Sequence, residues 1–140
     1  MTHAILILIL MHNNPLLNLC NAIRTNKQNR FSTVKIQFSK KSIAILSVFL
    51  KEGFIRGFFI EVENNFKVIH ILLKHSNNDL NFLKFKKTSL IERQTYYSSN
   101  YFKNQSMGLH FSIVSTQKGI MSNADAAALG LGGFLLINTI

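Results

Sequence analysis

The chain has 140 residues, of which 47% are hydrophobic, and its sixteen Lys and Arg residues against six Asp and Glu residues give a formal net charge of +10. The hydrophobic fraction excludes intrinsic disorder, and the length suits one domain or two small, tightly packed subdomains. The excess positive charge indicates a polyanionic partner, and an RNA backbone is favoured over a basic face that meets only solvent.

An apolar run from Ala4 to Leu10 lies ahead of the first predicted helix. Its length is far below the ~20 residues that a membrane-spanning helix needs. The run also lacks the positive n-region and cleavage site of a signal peptide and the Arg-rich character of a mitochondrial transit peptide. We interpret residues 1–12 as an extension that docks on a neighbour. The alternative, a membrane-surface protein, would bind liposomes through this run.

The first half of the chain predicts a helix, a strand, a second helix and two further strands. Apolar residues recur at helical spacing in the two helical segments and alternate in the first strand. Ser39 is placed to cap the second helix and Gly53 to end it, and Asn64-Asn65 is a turn dipeptide that tolerates positive φ. The predicted elements are Pro15–Arg24, Phe31–Phe38, Lys40–Glu52, Phe54–Glu63 and Phe66–Leu73.

A polar break at residues 76–79 separates this half from the next. Beyond it, Leu80–Phe85 and Phe111–Val114 predict strands, and the aromatic residues between Tyr96 and Phe102 mark a loop or a short helical turn. The expected fold class is therefore α+β with two small packed subdomains. Residues 13–76 are expected to form an α-β-α-β-β unit, and residues 77–140 a β-rich unit with one short helix.

A helix is predicted directly after residue 122 by its capping residues. Ser122 and Asp125 have the spacing of a capping box, three alanines follow, and Gly130 suits a left-handed cap that ends the helix. The stretch ahead of this helix, Ser115 to Met121, offers hydroxyl groups and a flexible glycine. Hydroxyls, close backbone approach and free N–H groups at a helix start suit phosphate and ribose oxygens.

Basic residues are concentrated in the first part of the chain. Seven of them precede Glu52, which is the first acidic residue, and six of these lie at or before residue 41. A surface of this kind fits contact with a nucleic-acid backbone better than a solvated face does. The six residues are Arg24, Lys27, Arg30, Lys35, Lys40 and Lys41, and a second cluster contains Lys84, Lys86 and Lys87.

No catalytic or metal-ligating set is predicted. Ser115 has no partner set for nucleophilic catalysis, and the five histidines lack the Cys or carboxylate spacing of a zinc site, so His70 within its apolar strand is interpreted as structural. The glycines from 130 to 133 lack the order of a nucleotide-binding loop and suit a helix cap and close packing. We expect no enzyme activity, no cofactor, no metal and no small-molecule substrate.

Three stretches of sequence resemble the small-subunit ribosomal protein S8 family. The order S-T-x-K-G-I-M from Ser115, a short helix, G-L-G-G and a closing apolar strand is similar to its C-terminal signature. The run from Ser39 to Ile55 is similar to its S-K…I-A…L-K-x-E-G-F-I, and Asn14-Pro15 with Ile23-Arg24 to its D-P…I-R. The resemblance covers residues 13 to 140 and implies that the unit at residues 77–140 binds rRNA.

The resemblance implies a structural constituent of the small ribosomal subunit that binds and organises the central domain of its rRNA, beside neighbours that include protein S5. The alternatives are a small nucleotide-using enzyme and a basic RNA-binding protein outside the ribosome. Abundant Asn, Ile, Phe and Lys indicate an A+T-rich, organellar coding sequence and hence a mitochondrial ribosome. The RNA-binding residues that we expect are Ser115, Thr116, Gln117, Lys118, Gly119, Met121, Gly130, Gly132 and Gly133, with Arg24, Lys27, Arg30, Lys40 and Lys41.

The chain departs from the family pattern at three places. Gln117 stands where the family has the last Ser of S-T-S, Phe134 stands where it has the Glu of G-G-E, and residues 91–96 replace its P-G-x-R-x-Y. Gln117 can still donate and accept hydrogen bonds, whereas Phe134 cannot accept one.

Overall fold

A computed structural model of the chain describes residues 15–28, 32–74, 85–87, 95–108 and 110–139. The chain divides into two compact units, residues 1–77 and 78–140. The predicted extension at residues 1–12, most of the predicted strand at 80–85, Arg30 and Lys84 lie outside the described residues. In the described part of the chain, no helix is long and apolar enough to cross a membrane.

Over residues 15–73, the described part of the first unit has a three-stranded antiparallel sheet and two helices, in the predicted α-β-α-β-β order. The strand order across the sheet is β1-β3-β2. Helix α1 ends one turn later than predicted, because residues 25–28 contain neither Gly nor Pro. The elements are α1 (Pro15–Gln28), β1 (Thr33–Gln37), α2 (Lys40–Lys51), β2 (Ile55–Glu63) and β3 (Phe66–Leu73).

The core of this unit is made by the apolar stripes of both helices and one face of the sheet. Alternate residues of β3 point to opposite faces, and Ile69, Ile71 and Leu73 are all buried. Leu19 of α1 and Phe49 of α2 are also buried. The opposite face of β3 carries His70, which neighbouring side chains cover to 9% exposure.

Two of the predicted turn and cap positions are confirmed and one is wrong in detail. Asn64 and Asn65 both have positive φ, 49° and 67°, as a two-residue hairpin turn requires. Gly53 follows α2 with a φ of 80°. Ser39 occupies the N-cap position of α2, but its side chain makes no capping hydrogen bond and only its carbonyl accepts, from the Ile43 N–H at 3.1 Å.

The described part of the second unit has a five-stranded antiparallel sheet with β8 at its centre. The main path runs β4-β8-β6-β7, and β5 pairs with another part of β8. Because β8 pairs with three strands, its course sets the positions of most of the sheet. The elements are β4 (Phe85–Lys87), β5 (Tyr96–Tyr97), α3 (Ser99–Met107), β6 (Ser112–Thr116), β7 (Gly119–Ser122), α4 (Asn123–Leu129) and β8 (Gly133–Thr139).

Among its described residues the second unit has two helices, where the sequence predicted one. The aromatic segment that was expected to be a loop or short turn begins a nine-residue helix, α3. The helix is held by Phe102, which is fully buried in the same apolar cluster as Val114, Ala126 and Leu135. Tertiary burial of one side chain therefore outweighs the low helix propensity of the segment.

The predicted capping of α4 is confirmed. The Ser122 side chain accepts a hydrogen bond from the Asp125 N–H at 3.3 Å, and Gly130 adopts the left-handed conformation with a φ of 67°. The Gly130 N–H then reaches carbonyl groups of the last turn, and the Leu131 N–H bonds the Ala126 carbonyl at 2.9 Å.

We expect Ser122→Ala to lower the free energy of unfolding by ~1 kcal/mol, because the Asp125 N–H loses its partner. Ser98→Ala is the matched control, since Ser98 is the N-cap of α3 but makes no side-chain capping bond. Chemical denaturation of both variants measures the difference. Equal losses in the two variants would contradict the capping role of the Ser122 hydroxyl.

Candidate nucleic-acid interface

The stretch predicted to meet RNA forms the hairpin between β6 and β7. Thr116 pairs with Gly119 and Val114 with Met121, which leaves Gln117 and Lys118 as the two turn residues. Gly119 has a φ of 111°, whereas neither turn residue has positive φ. A turn of ordinary hand followed by a residue at positive φ is a common way to close a hairpin, and it favours glycine at position 119.

The Thr116 side chain closes this turn from inside. Its hydroxyl donates to the Gly119 carbonyl at 2.9 Å and accepts from the Lys118 N–H at 3.2 Å. The Met121 sulfur lies 3.8 Å away. The sequence predicted a hydroxyl offered to a ligand, but in the folded chain the hydroxyl is engaged within the turn, and its donor is used there.

The groups that face solvent at the turn are those beyond Thr116. Gln117, Lys118 and Gly119 are exposed, while Ser115 and Thr116 are half-buried. A Cβ built on Gly119 would have nothing within 4 Å, so the backbone there is open to a close approach. The turn therefore presents an amide side chain, an ammonium group and bare backbone together.

Two of the predicted RNA-binding glycines, Gly132 and Gly133, allow neighbouring strands to pack closely against the hairpin. Gly133 is buried and pairs with Thr116, and a Cβ at this position would clash with the Ser115 carbonyl oxygen. A Cβ at Gly132 would lie 2.6 Å from the Tyr96 hydroxyl oxygen. Both glycines are thus needed for close packing of β8 and β5 around β6.

The start of α4 is not the donor surface that the sequence predicted. Ser122 and Asn123 are buried, at 0% and 2% exposure, and the Asp125 N–H already bonds the Ser122 hydroxyl. Asn123 in turn accepts from the Ser112 N–H at 3.2 Å and donates to the His110 carbonyl at 2.8 Å. The residues at the helix start therefore bind the hairpin to the rest of the unit.

A buried polar network that sequence reasoning missed holds β6 beside β8 and α3. The Ser112 hydroxyl lies 2.9 Å from Gln105 Oε1 and 3.0 Å from Asn138 Oδ1. Ser112 itself is fully buried. These polar residues gave no sequence signal, because each is common on surfaces and only the fold brings them together.

Most of the predicted basic residues belong to the first unit, whereas Lys86 and Lys87 lie on β4 and Lys118 lies in the hairpin turn of the second unit. Arg24, Lys40 and Lys41 are exposed. Lys27 lies in the last turn of α1, and its side chain, like Arg30, is outside the described part of the structure. Lys40 and Lys41 begin α2, whose first turn contains no acidic residue. Cations at a helix N-terminus oppose the helix dipole, so their position is better suited to an anionic ligand than to helix stability.

Lys35 differs from these lysines because it has a partner within the chain. Its ammonium lies 2.6 Å from Glu63 Oε1. This hydrogen bond holds the pKa of the Glu63 carboxyl below its usual value and raises the pKa of Lys35 above its own. Glu61 and His70 lie beside the pair, in a cluster that the sequence spacing did not predict.

The model of the family described as Ribosomal protein S8 matches residues 14–139 of this chain. The chain is 37% identical over 126 residues to small ribosomal subunit protein uS8 of Orientia tsutsugamushi (strain Boryong), covering 86% of this chain and 92% of that protein. It is 34% identical over 125 residues to uS8 of Ruegeria sp. (strain TM1040), covering 89% and 96%. The chain therefore belongs to the ribosomal protein S8 family, as its sequence motifs predicted.

We expect Thr116→Val to lower the free energy of unfolding by about 1 kcal/mol, because the Gly119 carbonyl and Lys118 N–H lose their shared partner but can turn to water. Thr116→Ser is the matched control, since it keeps the hydroxyl and loses only a methyl group. Urea denaturation measures both variants. The role of the hydroxyl in the turn is wrong if Ser is as destabilising as Val.

Proposed function

We propose that this chain is a structural constituent of the small ribosomal subunit that binds and helps to organise the central domain of small-subunit rRNA. The observation that carries the proposal is the family match over residues 14–139, which includes the exposed hairpin turn. The net charge of +10 provides the attraction that a polyanionic partner requires.

The hairpin turn is suited to RNA that is recognised by shape. Helical RNA offers ribose hydroxyls and phosphates along its shallow groove, while its base edges are difficult to reach in the deep one. The exposed Lys118 supplies a cation for phosphate, and Gln117 can donate to or accept from a ribose hydroxyl. Open space beside Gly119 allows the backbone to lie against the RNA. Thr116 contributes by fixing the shape of the turn.

The first unit would add phosphate contacts through the start of α2. Lys40 and Lys41 are exposed in its first turn, and Ser39 has a hydroxyl that is not used for capping. A phosphate at this position would satisfy the lysines and the helix dipole together. Arg24, on α1 of the same unit, is a further exposed cation.

An rRNA-binding structural role makes enzymatic activity unnecessary, and we propose that the chain is not an enzyme and uses no small-molecule substrate. Ser115 is a half-buried strand residue paired with Ile120 and Phe134, and not an exposed nucleophile. The proposed partners are the rRNA and neighbouring small-subunit proteins, S5 among them. No membrane partner is proposed.

We also propose that the chain works in a mitochondrial ribosome and is encoded in the organelle. The support is composition, since twelve Phe residues against one Pro and no Trp fit an A+T-rich coding sequence. On this proposal the apolar residues 1–12 dock on a neighbour in that particle.

Sedimentation tests the function directly. The full chain should co-sediment with small ribosomal subunits after a high-salt wash and should bind a central-domain rRNA fragment in preference to a duplex of equal length. A protein that binds both RNAs equally and leaves the subunits in high salt would be a basic RNA-binding protein outside the ribosome. Turnover of a nucleotide would support the enzyme alternative instead.

We expect Lys118→Gln to flatten the salt dependence of rRNA binding, because each phosphate contact contributes about 0.7 to 0.9 to the slope of log affinity against log salt. The replacement keeps a polar side chain of similar length and should leave stability unchanged, since Lys118 is exposed. Filter binding at several salt concentrations measures the slope.

Lys103→Gln is the matched control for charge, because Lys103 is an exposed lysine on α3 of the same unit. If both variants change the slope equally, net charge and not contact at the turn explains the effect. The pair Lys40→Ala and Lys41→Ala tests the first unit in the same assay, and an unchanged slope would assign those two lysines to a solvated surface.

A further inference from the structure

Three potential metal ligands converge on one face of the first unit's sheet. Glu61 and Glu63 lie on β2, and His70 lies on β3, where it pairs with Phe59. Side chains alternate along a strand, so residues 59, 61 and 63 share a face with His70. One nitrogen and two carboxylate oxygens from these residues lie within 4.8 Å of one another.

The buried imidazole is the observation that points to a ligand. His70 is 9% exposed, and its Nε2 atom is buried without a hydrogen-bond partner. This nitrogen lies 2.9 Å from Glu61 Oε2 and 3.5 Å from Glu63 Oε1, which is ion-pair distance when the imidazole is protonated, but neither contact has the geometry of a hydrogen bond. Buried polar atoms in native proteins are normally satisfied. A cation held between the nitrogen and the two carboxylates would satisfy all three groups.

The imidazole is held in the orientation that such a site requires. The Phe59 ring stacks on it with a centroid separation of 4.7 Å and an angle of 5° between the ring planes. Phe59 is also the direct cross-strand neighbour of His70. A stacked and buried ring does not turn freely, so Nε2 stays directed toward the two carboxylates.

We propose that Glu61, Glu63 and His70 form a binding site for a divalent transition-metal ion, with Zn²⁺ as the best fit. Zinc bonds to nitrogen and oxygen at 2.0 to 2.2 Å, so its tetrahedral ligands lie about 3.4 Å from one another. The two observed nitrogen–oxygen separations of 2.9 and 3.5 Å need little adjustment, and the two carboxylate oxygens lie within 4.8 Å of each other. An imidazole ligand favours zinc over Mg²⁺ and Ca²⁺, which prefer oxygen alone.

The proposed site is open to solvent on one side, and a lysine ammonium already binds one of its carboxylates. The side chains of Glu61 and Glu63 are 52% and 39% exposed, so water can complete the coordination. The Lys35 ammonium lies 2.6 Å from Glu63 Oε1. Lys35 is on β1, where it is the cross-strand neighbour of His70. Zinc must displace this ammonium from the carboxylate. Lys35 therefore lowers the affinity of the site.

Titration of the untagged full chain with ZnCl₂ in a calorimeter tests the proposal, and CoCl₂ titrated with visible absorption gives a second readout. We expect one ion per chain and a loss of affinity of more than about tenfold in Glu61→Gln, which removes a ligand. Lys35→Gln should bind zinc more tightly than the wild type, because the competing ammonium is gone.

Two matched variants separate the site from general charge effects. Glu52→Gln removes an exposed carboxylate of the same unit, and Lys67→Gln removes an exposed lysine of the same sheet, so both should bind zinc as the wild type does. His70→Gln tests the third ligand. If His70→Gln does not fold, the zinc affinity of Glu61→Gln decides whether the site exists. Wild-type affinity in Glu61→Gln, or no binding of zinc by the wild type, overturns the proposal.

Discussion

The missing side chain at Gly133 is the constraint on which the second unit depends. At this position β8 passes so close to β6 that any Cβ would clash with the Ser115 carbonyl oxygen. β8 also pairs with β4 and β5, so its course fixes three neighbouring strands. The hairpin that carries Lys118 thus packs against β8, and β8 can lie this close only because residue 133 is glycine.

The parts of the fold that the sequence predicted correctly are those decided by local chemistry. The S-x-x-D spacing after β7, the glycine that ends α4 and the Asn64-Asn65 turn each depend on a few neighbouring residues. Hydrophobic periodicity likewise gave the order of elements in the first unit. The predicted elements also gave the α+β class, and the family resemblance added the ribosomal assignment of residues 13 to 140.

The parts that sequence reasoning missed are decided by contacts between distant residues. Helix α3 forms around the buried Phe102, and nothing local marks that residue as an anchor. Ser39 has the residue type and position of a cap, yet its hydroxyl does not bond the helix. Glu61, Glu63 and His70 meet only because the register of β2 and β3 places them on one face.

The hydrogen bonds of Thr116 determine which residues of the turn can be substituted during evolution without altering its shape. The hydroxyl bonds Gly119 and Lys118 and thereby gives the turn its shape before any partner arrives, so little ordering entropy is lost on binding. Gln117 takes no part in these bonds and projects into solvent. A chain can therefore replace the family's serine at position 117 without losing the turn, whereas a change at position 116 or 119 would alter the turn itself.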